Sequence, residues 1–256
     1  MSFADYDITD SYTGITITGG NDGTEATHAD LASPLTLQGA HCREWRSNLS
    51  EINIRRYQYL AIKGSSDPRM VAVPDTKAMR ATMWVRLYPS TGTAAESCLS
   101  IHLKTSGVCN IGFGQYNPPG IGLYAGHSGT FNFGSSYLAP KIGLSIASAT
   151  ATTWYPSLLA ISYNTWYQIR LEVTPIATLG IVDSELVEAF YNSGTEADPT
   201  WTSIFSQVNL DSGGRWIVYG NASLTKCAFG VQLKTGSSGE LCRAYSDSFQ
   251  VQMKPR

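Results

Sequence analysis

Charged side chains are scarce in this sequence, which has 20 acidic and 18 basic residues among 256 and a formal net charge of -2. The charged fraction of 15% is well below the share of about a quarter that is usual for soluble domains. There is no basic surplus to contact a phosphate backbone, so we expect no nucleic-acid partner. Polybasic segments that would bind an anionic lipid surface are missing too, and we expect no membrane partner.

Long apolar runs are also missing. No stretch of about 18 apolar residues occurs, so no segment is predicted to span a bilayer. The N-terminal residues MSFADYDITD do not contain a basic region followed by an apolar run, the pattern of a secretory signal. We therefore expect the chain to be made and folded in the cytoplasm.

Cysteine is sparse, and its five copies form no CxxC pair and no zinc-finger spacing. We predict no metal site and no cofactor. An odd number of cysteines without a secretory signal favours free thiols. The alternative is a bridge across a hairpin, between Cys98 and Cys109 or between Cys227 and Cys242.

Motifs of nucleophilic catalysis are missing as well. The chain has no GxSxG elbow for a serine nucleophile. The histidines His28, His41, His102 and His127 are scattered, and His102 lies on the wetted face of its predicted strand. We interpret these histidines as surface or loop residues.

What the sequence does contain is a repeated alternation of apolar and polar residues, which is typical of strands with one buried face. In Asn164–Thr174 the apolar positions are Tyr167, Ile169, Leu171 and Val173. Further segments repeat the pattern, with inward rows Met79/Ala81/Met83/Val85/Leu87, Leu99/Ile101/Leu103 and Cys227/Phe229/Val231/Leu233. Residues 183–190 fit either a short helix or a strand, and the alternation of Val187, Ala189 and Tyr191 favours the strand.

The final strand is predicted to place Tyr245, Phe249, Val251 and Met253 on its buried face, with Asp247 interrupting the row. Gly, Ser and Pro occur in short clusters, as turns would need, and not in one linker. We predict a single domain over residues 1–256 with an extended N-terminal segment. Two antiparallel sheets packed as an all-β sandwich best satisfy so many one-sided strands.

The order of these segments resembles a known family. Thr165–Val173, followed by Glu185–Ser193 and Asp198–Phe205, resembles the central hairpins of concanavalin A-like lectin/glucanase jelly rolls. Ala244–Val251, in which an Asp precedes an aromatic residue, is similar to the final strand of that family. The resemblance implies a concanavalin A-like jelly roll in which the opening Phe3–Ile8 pairs near the last strand.

The glucanase branch of that family carries two catalytic carboxylates in the string ExDxxE, and this chain has no such string. Glu185 and Glu188 are three residues apart, lack the central Asp, and would point to opposite faces of a strand. The metal cluster of legume lectins has no recognisable counterpart either. We therefore expect no enzymatic activity.

The sequence is similar in style to proteins of tailed-bacteriophage particles, although no motif carries this resemblance. It implies a structural virion protein, a capsid decoration or tail component, made in the host cytoplasm. Such a protein would bind and cement other virion proteins and would form a homo-oligomer. The alternative is a carbohydrate-binding, lectin-like module that recognises surface glycans of a host.

Candidate ligand-binding residues come from aromatic segments predicted to be loops. Tyr116, Tyr124 and His127 lie in a Gly-rich stretch, and Trp154 and Tyr155 follow a Ser/Ala/Thr run. Exposed aromatic rings stack on sugar faces and also anchor protein interfaces. Subunit contact, core packing and glycan binding all remain open for these residues.

Two tryptophans lie on the more polar faces of their strands. These are Trp84, flanked by Arg80 and Arg86, and Trp166. One interpretation is that they are structural residues covered by other parts of the chain. The other is that they line a sheet surface of the kind that jelly-roll lectins use. The arginines could stack on Trp84.

Overall fold

The computed structural model describes residues 4–7, 17–19, 27–32, 41–46, 53–61, 78–89, 96–105, 120–127, 140–147, 152–178, 181–195, 197–210, 226–234 and 243–253. In this part of the chain there are fifteen β-strands, numbered β1 to β15 in chain order. They are Ala4–Asp7, Ile17–Gly19, Thr27–Ala32, His41–Arg46, Asn53–Ala61, Met79–Leu87, Glu96–Thr105, Gly120–His127, Lys141–Ala147, Thr152–Ala160, Trp166–Thr178, Ile181–Asn192, Trp201–Leu210, Lys226–Lys234 and Arg243–Met253.

The strands form two antiparallel sheets, so the predicted all-β sandwich is confirmed. The eight-stranded sheet has the order β13-β12-β11-β6-β15-β4-β3, and β1 also pairs with β15. The seven-stranded sheet has the order β10-β9-β8-β7-β14-β5-β2. The pairing of β1 with β15 confirms the expected meeting of the opening and closing segments. The extent of the domain, residues 1–256, stays a prediction.

The alternation seen in the sequence becomes an apolar layer between the two sheets. All the inward residues predicted for β6 and β7 are buried in one core cluster. From β11, Ile169, Leu171 and Val173 join them at 0% exposure, and Tyr167 packs against the cluster. The predicted inward faces of these three strands are confirmed. The prediction of a strand at residues 183–190 is confirmed by β12.

The final strand departs from its predicted pattern. The pairing of β15 with β6 shifts between Asp247 and Gln250, and Ser248 has a φ of 48°. Such a bulge changes the face that the following residues occupy. Phe249 therefore packs in the core, whereas Tyr245 packs against a tryptophan pair on the outer face. The prediction that these two residues share the buried face is wrong for this reason.

Asn192 organises the connection between β12 and β13. Its side chain is fully buried at 0% exposure. Its Oδ1 accepts hydrogen bonds from the backbone N–H groups of Gly194 at 2.7 Å and Thr200 at 2.9 Å. Its Nδ2 donates to Gln168 Oε1 and to the carbonyl oxygen of Thr195, both at 3.3 Å. One side chain thus satisfies the turn and ties it to β11.

We expect Asn192→Ala to lower the free energy of unfolding by about 1–3 kcal/mol, because the N–H groups of Gly194 and Thr200 lose their acceptor in a part-buried turn. Chemical denaturation measures this change. The control is Ser193→Ala at the exposed neighbouring position, which should change stability by less than about 0.5 kcal/mol. Equal stability of the two variants would show that the turn does not depend on Asn192.

Candidate functional site

The outer face of the seven-stranded sheet carries polar side chains that are removed from solvent. In β7, Leu99 and Ile101 belong to the core, so the alternate residues Cys98, Ser100 and His102 lie on the opposite face. These three residues are only 0–2% exposed. A sheet face turned away from the core normally carries solvated polar residues, so this burial distinguishes the face.

His102 has a polar partner and an aromatic partner. Its Nε2 lies 2.9 Å from Oγ of Ser100. Its ring meets the ring of Tyr124 edge-on, with centroids 5.3 Å apart and an interplanar angle of 89°. Aromatic pairs favour this arrangement. Ser100, His102 and Tyr124 form one group, the imidazole cluster, because β7 and β8 pair through Ser100 and Tyr124.

Glycine at position 122 makes room for this cluster. Gly122 is the direct partner of His102 in the pairing of β7 with β8. A Cβ at Gly122 would lie 2.8 Å from Nδ1 of His102 and 2.8 Å from Cε2 of Tyr124. Both distances are shorter than van der Waals contact. The two rings therefore lie over bare backbone.

Burial lowers the pKa of His102 to about 3. The imidazole is consequently neutral at neutral pH, with one nitrogen that donates and one that accepts a hydrogen bond. Hydroxyl groups of Ser100 and Tyr124 also donate and accept. The imidazole cluster thus consists of uncharged groups that can both donate and accept hydrogen bonds.

Strand register places further residues on the same face, because directly paired residues of antiparallel strands share a face. The row through Ser100 runs to Gly230 and Tyr57 on one side and to Tyr124 and Gly143 on the other. The adjacent row comprises Tyr59, Ala228, His102, Gly122, Ser145 and Trp154. The face combines aromatic positions with small residues.

Two of the five predicted ligand-binding residues lie on this face. Tyr124 belongs to the imidazole cluster, and Trp154 occupies the row through His102. The loop positions predicted for them are wrong, because Tyr124 lies in β8 with 1% exposure and Trp154 lies in β10. The glycines of β8 leave space beside an extended strand instead of forming turns.

The structure places two of the other three predicted residues, His127 and Tyr155, away from this face. His127 pairs with Ser97, and Tyr155 pairs with Leu144, so both occupy positions on the side of the sheet that faces the core. Both residues lie in strands and not in loops. Tyr116 lies outside the described residues. Ligand binding stays a prediction for all five residues.

The site residues that sequence reasoning missed are Ser100 and His102. The outer-face position of His102 agrees with its predicted face, but the interpretation of His102 as a surface residue is wrong, since it is 2% exposed. The glycine spacing of β8, with Gly122 opposite His102, is the feature that could have indicated a buried ring. That feature becomes visible only when the pairing partner of β7 is known.

Solved structures with this architecture include lectins and a polysaccharide lyase. Peanut lectin with a nine-residue peptide is 12% identical, covers 100% of both chains and has a TM-score of 0.50. The marine PL-14 alginate lyase from Aplysia kurodai is 12% identical over 94% of this chain and 90% of its own, with a TM-score of 0.50. The lectin UEA-II with galactose is 10% identical over 99% of each chain, with a TM-score of 0.48. Peanut lectin and the alginate lyase confirm the expected concanavalin A-like jelly-roll fold.

Sequence comparison adds no closer relationship. No protein-family model matches the chain, and no curated protein matches it. The three similar structures give no link to a phage particle. The virion role, the homo-oligomer and the cellular location therefore stay predictions.

The prediction that the chain is not an enzyme is contradicted. That prediction rested on the absence of the ExDxxE string. The carboxylates of this string catalyse the hydrolysis of glycosidic bonds. The alginate lyase from Aplysia kurodai has the same fold. A lyase breaks its substrate by elimination, so the missing string excludes one mechanism and not carbohydrate-cleaving chemistry on this fold.

The thiol of Cys98 is buried in β7, with its Sγ 3.7 Å from the carbonyl oxygen of Leu99, and Cys109 lies outside the described residues. Within the described residues, no group of three or more His, Cys, Asp or Glu side chains is placed to hold a metal ion. None of the described segments is a helix long and apolar enough to cross a membrane.

The lowered pKa of His102 predicts a specific pH dependence of stability. Between its ordinary pKa of 6.5 and the folded value of about 3, the unfolded chain binds a proton that the folded chain excludes. Stability therefore falls as the pH falls through this window. In His102→Gln, the loss of unfolding free energy from about pH 7 to about pH 4.5 should be smaller by about 2 kcal/mol. Equal losses in both proteins would contradict the burial of a neutral imidazole.

Gly122→Ala tests the packing of the two rings over the backbone. The added methyl group should lower the free energy of unfolding by about 1–3 kcal/mol, because both rings must move. The same substitution in a His102→Ala background should cost less, since one of the two rings is gone. Thermal denaturation of the four proteins measures the difference, and strict additivity would show that His102 does not contact position 122.

Proposed function

We propose that the protein binds carbohydrate on the outer face of the seven-stranded sheet. The observation that carries this proposal is the composition of the two rows through Ser100 and His102. Aromatic residues stand at positions toward the ends of these rows, at Tyr57, Tyr59 and Trp154. Uncharged polar groups and glycine backbone lie between them.

Sugars match this combination of groups. The C–H faces of a sugar ring pack on aromatic side chains, whose apolar area supplies much of the binding energy. Sugar hydroxyls donate and accept hydrogen bonds, as do serine, tyrosine and neutral histidine. The residues in these two rows carry no formal charge, so covering them with a ligand avoids the large cost of desolvating an ion.

The imidazole cluster supplies a fixed base for such a site. Ser100 and His102 bond to each other, and Tyr124 packs against the imidazole, so their orientation is set before a ligand arrives. Groups that are already ordered reduce the entropy cost of binding. At 0–2% exposure the cluster lies beneath the surface, so it would fix the shape of the sheet while the ligand stacks on the aromatic positions beside it.

The length of the row favours an oligosaccharide or polysaccharide over a single sugar. Tyr59 and Trp154 are separated by five strand intervals, from β5 through β14, β7, β8 and β9 to β10. At about 4.8 Å per interval the two positions lie roughly 24 Å apart along the sheet. A saccharide chain that contacts both would lie across the strands.

The fold adds support of a general kind. Peanut lectin and the alginate lyase from Aplysia kurodai share it at TM-scores of 0.50, and their names describe glycan binding and glycan cleavage. Function on a common fold is decided by the site, so the proposal rests mainly on the rows through Ser100 and His102.

A glycan array probed with the purified chain tests the proposal, followed by calorimetric titration of the best saccharide. Trp154→Ala and Tyr59→Ala should each weaken binding by about tenfold or more, since an aromatic anchor commonly contributes more than about 1 kcal/mol. Ultraviolet detection of unsaturated products in the same mixtures reports whether the bound glycan is also cleaved by elimination.

The matched control is Trp201→Ala, which removes a half-buried tryptophan from β13 at the edge of the other sheet. Its saccharide affinity should equal that of the parent chain. The proposal fails if no saccharide binds. It also fails if Trp201→Ala weakens binding as much as Trp154→Ala does.

A further inference from the structure

The outer face of the eight-stranded sheet contains a second group of side chains, on the opposite side of the molecule's apolar layer. Trp84 and Trp166 form a buried pair, at 1% and 7% exposure, and Tyr245 packs against it. Arg86 pairs in register with Trp166 on one side and with Tyr245 on the other. These four residues together with Tyr88 are named the tryptophan–arginine cluster.

Two guanidinium groups share one aromatic ring in this region. Arg86 lies 4.8 Å from the ring centroid of Tyr88, and Arg243 lies 5.8 Å from the same centroid. The rings of Tyr88 and Tyr245 are 5.2 Å apart. Stacking on an aromatic ring stabilises each cation, but the two positive charges also repel each other. The half-buried arginines and tyrosines leave the cluster open to solvent at its rim.

Among the described residues, three nitrogen donors of the cluster have no hydrogen-bond partner. They are Nε1 of Trp84, Nε1 of Trp166 and Nε of Arg86. An unpaired buried N–H destabilises the folded state, and folded proteins leave few of them. Indole and guanidinium nitrogens can only donate, so the missing partner must be an acceptor.

Arg80 of the same face shows how a paired guanidinium differs. Its Nε donates to Oε1 of Glu172 at 2.8 Å, and its Nη2 lies 2.8 Å from the same oxygen. In the described part of the chain, Arg86 has the Tyr88 ring as its neighbour and no ion pair. Its positive charge is therefore available to a ligand.

Two acidic residues occupy register positions beside the cluster. Asp247 pairs in register with Trp84, and its Oδ1 accepts a hydrogen bond from Oγ of Ser248 at 3.3 Å. Glu44 of β4 occupies the register position opposite Tyr245. The available charge consequently comes from Arg86 and not from the face as a whole.

We propose that the tryptophan–arginine cluster binds an oxyanion group, a carboxylate or sulfate. The guanidinium of Arg86 supplies the charge, and the two indole N–H groups supply directed donors that an oxygen atom can satisfy. The aromatic rings supply apolar walls for the part of the ligand that carries the group. This site is independent of carbohydrate binding on the seven-stranded sheet.

Sodium sulfate is the first probe, with sodium chloride at equal ionic strength as the reference. Sulfate should raise the melting temperature saturably, because a ligand that binds the folded chain stabilises it. It should also change the fluorescence of the chain in parallel. Arg86→Gln should weaken sulfate binding by about tenfold, and Trp166→Phe, which keeps an aromatic ring but removes the N–H, by about fivefold.

The matched control is Arg80→Gln, on the same strand and the same face, whose arginine is already paired with Glu172. Its sulfate affinity should stay within about twofold of the parent chain, as expected for a charge outside the site. The proposal is overturned if sulfate acts no more strongly than chloride. It is equally overturned if Arg80→Gln and Arg86→Gln weaken binding alike.

A comparison of oligogalacturonate with a neutral oligosaccharide of equal length identifies the source of the oxyanion. Tighter binding of oligogalacturonate than of sulfate, lost in Arg86→Gln, assigns the group to a saccharide carboxylate. Binding of sulfate alone assigns it to a free oxyanion. Binding on the seven-stranded sheet would instead respond to Trp154→Ala, so the two proposals fail separately.

Discussion

Close packing of alternate side chains between the two sheets is the constraint on which the rest of the structure depends. Met83, Leu171, Leu99 and Leu123 are all 0% exposed in the one core cluster that both sheets share. A shift of any central strand by one residue would turn its apolar row toward solvent, so the register is strongly specified. The same register decides the composition of both outer faces. His102 lies on an outer face because its neighbours in β7 must lie in the core.

The fold could be predicted because alternation is a local property of the sequence. The inward rows of β6, β7 and β11 are visible without knowledge of which strands pair. The candidate site could not be predicted in the same way, because the imidazole cluster depends on the meeting of Ser100 in β7 with Tyr124 in β8. Tyr245 shows a second limit, since the bulge at Ser248 changes the face of the strand and nothing in the local pattern marks it.

A missing motif proved a weaker argument than a repeated pattern. The string ExDxxE tests for one hydrolytic mechanism, and its absence says nothing of other chemistry on a fold that an alginate lyase shares. The alternation, by contrast, is a consequence of burial itself and applies whatever the protein does. The resemblance to concanavalin A-like proteins was therefore informative about architecture. The likeness to phage proteins rested on composition, which reflects many turns and few charges in any sandwich of this kind.

The imidazole cluster and the arginines of the eight-stranded sheet differ in charge because they differ in burial. On the seven-stranded sheet, the imidazole cluster is 0–2% exposed, and at that depth an unpaired ion would be too costly. The pKa of His102 is lowered for the same reason, because protonation would place a charge on the buried imidazole. On the eight-stranded sheet the arginines are half-buried, and they stay charged against carboxylates or aromatic rings. Hydroxyl and imidazole groups favour an uncharged polar ligand, whereas an unpaired guanidinium beside two indole donors favours an oxyanion. The chemistry of the groups on each face therefore sets the class of ligand that it favours.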